Sequence, residues 1–527
     1  VSEEAIAGTG IGETQAVRER WAPWAVGLIV FLVALVNVTP HVIGVFFDDA
    51  IYALLGKAIA TGEGLVYPQL PGSPPAIHYP PLFPLVLAAV WKIAPPFPAS
   101  VMWLKLVNPI LLGVGAGVMV VVARRVLRLP LVAAVGTALL GFVSVPAMML
   151  GSVLLSEPLF FLTFFVAVWG AARLVEDGGM RWAVVAGVAV AAVILTRTIG
   201  GVLLPAVLLT LAWERRWRDA AVFALATIVC IAPWQYFVWV NTPGFPDELR
   251  GSYGPYLEWV LDGYRAGGGE LVRAVLEKNL SGAVGFLGIF FSPLVRVVRP
   301  VIVVALLALF LAGILLGMRS RPTRVLGLAL GGYVGVILFW PYQVERFLWG
   351  AWPALILLVV MGAHRAFLVL QERGKVQGAW SVVVVALVLC LGHATYNVRG
   401  LSKGWAGSAS ASVDAQMAPF LAFVLDHPYL AGRLIGSDHA PAIALYGGGR
   451  AISLERLRVT DHVRDKSLEE RVQDLQVLDA RFRPDAYVLR SNGPLLPAFL
   501  QTPLDSSRRF RESVPPGPGA RVFLLDP

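Results

Sequence analysis

The chain has 527 residues, of which 57% are hydrophobic and 15% charged, with a net charge of +9. A soluble domain is nearer half apolar and a quarter charged, so this composition excludes an ordinary soluble enzyme. The positive charge does not point to nucleic acid, because its arginines cluster in short loops between apolar runs, such as Arg124-Arg125, Arg215-Arg216, Arg319 with Arg321 and Arg324, and Arg365 with Arg373. Such loops stay in the cytoplasm by the positive-inside rule.

Residues 1–23 read as a polar cytoplasmic tail. The first apolar run, Trp24 to Val45, is too long for a signal-peptide core and lacks a small-residue cleavage site, so it reads as an uncleaved anchor helix. Beyond it stand two adjacent acids, Asp48 and Asp49. Carboxylates beside a bilayer are costly unless they do something. An acidic pair at a helix mouth is placed to act on a substrate that is half lipid.

Residues 46–104 form a long outer loop. Asp49 to Thr61 has helical apolar spacing, and Gly62-Glu63-Gly64 is a stop signal. Prolines punctuate the stretch that follows, ending in Pro80-Pro81 and Pro84. Leu82 to Ile93 is apolar but short, and reads as a helix lying on the membrane surface.

Spans are expected near 105–123, 131–150, 158–174, 182–196, up to Trp213, and 219–240. A second long outer loop is expected at 241–295, with Gly267-Gly268-Gly269 as its flexible element. Further spans follow near 301–317, 325–340, 347–364 and 379–396. The total is about eleven spans of ~20 residues each. That parity puts the C-terminus outside. Residues 24–398 form the membrane domain, and 399–527 alternate strand-like and helix-like segments as a small extracytoplasmic α/β domain. Cys230 and Cys390 lie inside apolar spans and indicate no disulfide.

The motifs now form a pattern: Asp48-Asp49-Ala50-Ile51-Tyr52, Thr61-Gly62-Glu63-Gly64, Tyr79-Pro80-Pro81-Leu82, Ser156-Glu157-Pro158-Leu159, and Arg346-Phe347 followed by Pro353. Their order and spacing over residues 24–370 resemble the GT-C superfamily of lipid-phosphosugar-dependent glycosyltransferases, in particular protein O-mannosyltransferases, the aminoarabinose transferase and related family-39-like enzymes. The resemblance implies a multi-pass enzyme of the bacterial cytoplasmic membrane. It would move a sugar from a polyprenyl-phosphate donor to a hydroxyl on a glycan, lipid or protein acceptor, with inversion at the anomeric carbon.

On that reading Asp48 fills the family's first acidic position and is the general base. Asp49 orients it or raises its pKa by like-charge repulsion, or alternatively caps the following helix. Glu157 binds the acceptor or helps polarise its nucleophile, or alternatively sits at a helix N-terminus because the dipole favours it there. Arg346 and Arg197 match a donor phosphate in guanidinium forks, or alternatively anchor the interface. His78 and Tyr79 complete the expected phosphate site, although Tyr79 stands where the aminoarabinose transferase has a lysine. No His/Cys/Asp cluster has metal-ligand spacing, so no cofactor is expected, and a divalent metal stays open without being indicated. Two other functions remain. A lipid transporter would place ionisable groups near the midplane and show repeated halves. A non-catalytic scaffold would tolerate changes at Asp48, Glu157 and Arg346.

Overall fold

Helix α1 runs unbroken from Glu3 to Val36, so the stretch expected as a tail is helical and continues into the first span. The computed structural model describes residues 3–292, 296–427, 429–489, 495–500, 510–512 and 521–525, the side chains of 3–16 and 496 excepted. Next come α2 (Asp48–Thr61), α3 (Leu82–Ile93), α4 (Val101–Arg125), α5 (Leu131–Phe142), α6 (Val145–Ser152) and α7 (Glu157–Asp177). They are followed by α8 (Met180–Thr196), α9 (Leu203–Trp213), α10 (Trp217–Asn241), the single turn α11 (Arg250–Tyr253) and α12 (Tyr256–Phe291). The membrane part closes with α13 (Arg299–Arg319), α14 (Arg321–Leu338), α15 (Val344–Trp349), α16 (Trp352–Glu372) and α17 (Val376–Ser402).

By length and composition, eight helices among the described residues can cross a membrane, or nine if a bent pair counts as one span. The expectation was about eleven. The span expected at 131–150 is that bent pair, α5 and α6, which meet at 55°. The break has a local cause: Ser144 caps α6 through the Ala147 N–H, and Pro146 sits in its first turn. The apolar stretch 180–213 is divided at Arg197 into two short helices.

The loop expected at 241–295 is largely α12, a 36-residue helix. Its glycine run is a kink rather than a loop, with Gly268 at φ 63°. Tertiary packing overrides the glycines here: Leu271, Val275 and Phe286 are buried. The Asn279 amide also donates to the Ile337 and Trp340 carbonyls at 3.1 and 2.7 Å.

The short apolar helix α3 packs on α2. A side chain at Gly56 would meet Leu87 Cβ at 2.8 Å, so only glycine permits this approach. Trp91 Nε1 donates to the Ala53 carbonyl across the same contact at 3.0 Å. Helix α2 ends where the sequence indicates, on Gly62 in a left-handed conformation (φ 88°).

The C-terminal domain holds α18 (Trp405–Asp426), β1 (Leu434–Ser437), α19 (Ala440–Gly447), β2 (Arg450–Ile452), α20 (Leu468–Phe482), β3 (Ala486–Leu489), α21 (Leu495–Leu500), β4 (Phe510–Glu512) and β5 (Arg521–Leu525). The sheet order is β2-β1-β3-β5-β4. β2, β1 and β3 run parallel, and β5 and β4 are antiparallel additions. The outer edge of β2 does not end in solvent: Ala451 N–H donates to the Gln69 carbonyl of the proline-rich loop at 2.8 Å. The sheet is thereby tied to the loop that follows α2, the helix that begins with the acidic pair.

Candidate active site

The loop between α1 and α2 is fixed one amide at a time. Val42 N–H donates to Asp414 Oδ1 at 2.7 Å and Ile43 N–H to the Tyr446 hydroxyl at 3.0 Å. Gly44 and Val45 N–H donate to Asp49 Oδ2 at 2.8 and 3.0 Å, and Phe46 N–H to Asp49 Oδ1 at 3.0 Å. Five successive amides are thus satisfied by side chains, two of them from the C-terminal domain. Asp414 also pairs with His41 at 2.9 Å. From the membrane side, Lys105 Nζ donates to the Thr39 and His41 carbonyls at 3.1 and 2.7 Å. The loop ends in Phe47 at φ 64°, a left-handed conformation that costs a non-glycine residue ~1–3 kcal/mol. The surrounding bonds hold that turn and aim the next residue, Asp48.

Asp48 Oδ1 accepts from the Tyr79 hydroxyl at 2.7 Å, and Oδ2 is bound by the Arg346 guanidinium. Burial pushes this carboxyl up, but Arg346 and the Tyr79 hydroxyl outweigh burial and hold it below the usual carboxylate range. Asp49 differs. Burial raises its carboxyl, against the pull of the three amides. Its oxygens point back into the loop, and it lines neither cavity described below. It does not cap α2, since the amides it accepts lie upstream of that helix.

A polar chain continues across α2. The Tyr52 ring meets Tyr79 edge-on at 5.1 Å, and its hydroxyl lies 2.9 Å from Ser156 Oγ. Ser156 accepts from Arg197 at 3.1 Å, and Arg197 pairs with Glu157 at 2.8 Å. Glu157 is fully buried behind Arg197 and lines neither cavity.

His78 Nδ1 lies 2.6 Å from the Gly254 carbonyl, which only accepts, so Nδ1 carries the proton and Nε2 is left as an acceptor. Burial pushes this imidazole down to about 4, so it is neutral at neutral pH. It therefore brings no charge to a phosphate. The Tyr79 hydroxyl, expected near phosphate, is committed to Asp48 instead.

Two cavities meet at Asp48. One, of about 670 Å³, is lined by apolar and aromatic side chains such as Ile77, Ile199, Val202, Trp234, Val238 and Tyr256, with His78, Arg197 and Arg346 beside them. The other, of about 780 Å³, lies beneath the C-terminal domain. Phe47, Asp48, Tyr342 and Arg346 belong to both walls. Sequence motifs had singled out Asp48 and Arg346. They had not singled out Phe47, Tyr342, Tyr256, Asp414 or Tyr446, whose signal is spatial. Among the described residues no cluster of three or more His, Cys, Asp or Glu is grouped to hold a metal ion.

No protein-family model matches the sequence, and no curated protein matches it. Solved structures do. ArnT from Cupriavidus metallidurans bound to undecaprenyl phosphate superposes with a TM-score of 0.57 at 16% identity, over 95% of this chain and 97% of that one. The apo state of the same protein gives 0.54 at 17% identity, with 98% of each chain covered.

The fold is GT-C-like. The likeness spans the membrane helices and the C-terminal domain together, so the whole architecture is shared. At such identities it is a likeness of fold and selects no branch within GT-C. The GT-C resemblance read from the acidic motif, the paired prolines and the Ser156-Glu157-Pro158 turn accords with this fold. Those motifs converge on one site: Asp48, Tyr79, Ser156, Arg197 and Arg346 form the polar chain above.

Proposed function

We propose that this protein is an inverting glycosyltransferase of the bacterial cytoplasmic membrane. It takes a sugar from a polyprenyl-phosphate donor and passes it to a hydroxyl on the outer face. The observation that carries this reading is the place of Asp48, in the wall between an apolar cavity with two arginines and a polar cavity beneath the C-terminal domain. The ArnT structure of the same fold contains undecaprenyl phosphate. A lipid phosphate suits the apolar cavity of this chain for its own reasons: aliphatic walls for the chain, and Arg197 and Arg346 for the charge.

The acceptor hydroxyl comes from the other cavity. Asp48 takes its proton as the oxygen bonds to the anomeric carbon, an assistance worth typically ~10²–10⁴-fold. The bond from that carbon to the phosphate oxygen breaks on the opposite face, and the polyprenyl phosphate leaves with the electron pair. Arg197 steadies the growing charge, held in place by Glu157 and Ser156. His78 presents Nε2 as an acceptor to a sugar hydroxyl. Arg346 has two partners to choose between. Free of donor, it binds Asp48; with a phosphate present, part of its charge turns to the lipid, and Asp48 becomes the stronger base. Asp49 serves by holding the loop.

Titration of undecaprenyl phosphate into the purified protein in lipid nanodiscs tests the donor half of this reading. Saturable binding is expected, weakened about tenfold or more in Arg197→Ala, in keeping with the loss of a charge-assisted bond. Failure of the wild type to bind would contradict it.

A further inference from the structure

The two cavities that meet at Asp48 differ in chemistry, and the difference identifies a class of acceptor. The apolar cavity presents two arginines, each paired with a carboxylate, Arg197 with Glu157 behind it and Arg346 with Asp48, and a neutral His78. Under the C-terminal domain, five carboxylates face four cations. Most of these charges are already spent on each other: Glu455 with Arg471 at 2.5 Å, and Lys466 with Asp461 at 3.1 Å and with Asp474 at 2.6 Å. Among the described residues, the side chains of Arg456 and Asp465 line the cavity with no such partner.

The acceptor types differ in what this wall offers them. A lipid anchor finds four leucines here, of which Leu454, Leu489 and Leu495 are buried. An anionic headgroup finds no surplus of positive charge. A neutral polyol does best: each hydroxyl both donates and accepts, so Asp465 receives from it and Arg456 donates to it. Hydrogen bonds to charged groups are the stronger kind, and neither side chain must first break an ion pair to make one. The partly buried Phe46 and Phe47 rings line the same cavity, offering apolar faces beside the polar groups.

We infer that the acceptor is an uncharged carbohydrate, bound from the aqueous side between Asp48 and the C-terminal domain, with Arg456 and Asp465 selecting it. This rests on the glycosyltransferase reading for the direction of transfer, but the binding itself needs no donor. Arg456 and Asp465 lie on a loop far along the chain from the acidic motif, which explains why the sequence gives no sign of them.

The test is an array probed with the full chain in nanodiscs, without donor. It carries neutral oligosaccharides cut from mannan, arabinan, galactan and glucan, anionic glycans, serine- and threonine-containing peptides, and lipopolysaccharide. Binding to neutral oligosaccharides is expected, reduced about tenfold by Arg456→Ala and by Asp465→Ala, each a change outside the packed core. Both variants should bind undecaprenyl phosphate as the wild type does. Binding only to peptides, to anionic glycans or to lipopolysaccharide would overturn the inference. So would the absence of any glycan binding, or glycan binding that neither variant alters. Loss of undecaprenyl phosphate binding in the wild type, with glycan binding intact, would instead sink the donor assignment and leave this site standing.

Discussion

Arg346 grips one oxygen of Asp48 while the Tyr79 hydroxyl donates to the other at 2.7 Å. The ion pair joins α15 to the first turn of α2, elements almost 300 residues apart in sequence. It keeps a half-buried carboxylate ionised at the meeting point of two cavities.

The pair sets the acid limb of activity. Asp48 is held below the usual carboxylate range, so the base stays ionised until well into acid. In Arg346→Gln the opposing charge is gone, and burial then raises the carboxyl. The acid limb of kcat/KM should move to higher pH, as read from a pH–rate profile of the purified protein. A limb that stays where it is in the wild type would detach Arg346 from the base. His78, pushed down to about 4, should contribute no inflection near 6.5 in either protein.

Asp49 is expected to matter for folding more than for chemistry. Asp49→Ala leaves the Gly44, Val45 and Phe46 amides without their acceptor. An unsatisfied buried amide costs about 1–3 kcal/mol, and water reaches some of this loop, so a net loss of about 2–4 kcal/mol is expected. Thermal unfolding in detergent measures it. A variant as stable as the wild type but inactive would make Asp49 part of the chemistry.

The C-terminal domain is expected to position the base. Asp414→Ala and Tyr446→Phe remove the acceptors of Val42 and Ile43. The loop then loosens one turn before Asp48. kcat should fall about tenfold or more, while donor affinity holds, because a small misplacement of a catalytic group is felt chiefly in the rate. An equal loss of donor binding would point to general unfolding instead.

Glu157→Gln should act through Arg197. The wild-type pair lies 2.8 Å apart with Glu157 fully buried, whereas Arg197 keeps 17% of its side chain exposed toward the cavity. Breaking a fully buried pair costs about 3–5 kcal/mol; water in the cavity relieves part of that, leaving about 2 kcal/mol. Both the unfolding temperature and undecaprenyl phosphate affinity should drop. Wild-type values of both would assign Glu157 no part in holding the arginine.

Much of this arrangement was legible in the sequence, for reasons of local physics. Asp48 and Asp49 stand out because acids beside an apolar run are rare, and Gly62 ends α2 because a left-handed residue was needed there. β1, β3, β5 and α20 lie in the stretch read as alternating strand-like and helix-like segments; the capping box of Ser467 and Glu470 that starts α20 is seen in the structure. α12 was hidden, because three glycines in a row read as a loop while buried contacts made them a kink. β2 and β4 were missed as well, being three residues each and fixed by pairing rather than by pattern. The roles of Asp414 and Tyr446 had no sequence signal at all: each satisfies an amide some 370–400 residues away.

The proposed chemistry turns on Asp48 removing the proton from an acceptor hydroxyl. It is tested most directly by mass spectrometry of envelope glycans, glycolipids and glycoproteins from cells lacking the gene, complemented with the wild type or with Asp48→Asn at equal membrane abundance. A sugar-bearing species should vanish on deletion, return with the wild type and stay absent with Asp48→Asn. Full restoration by Asp48→Asn would contradict it.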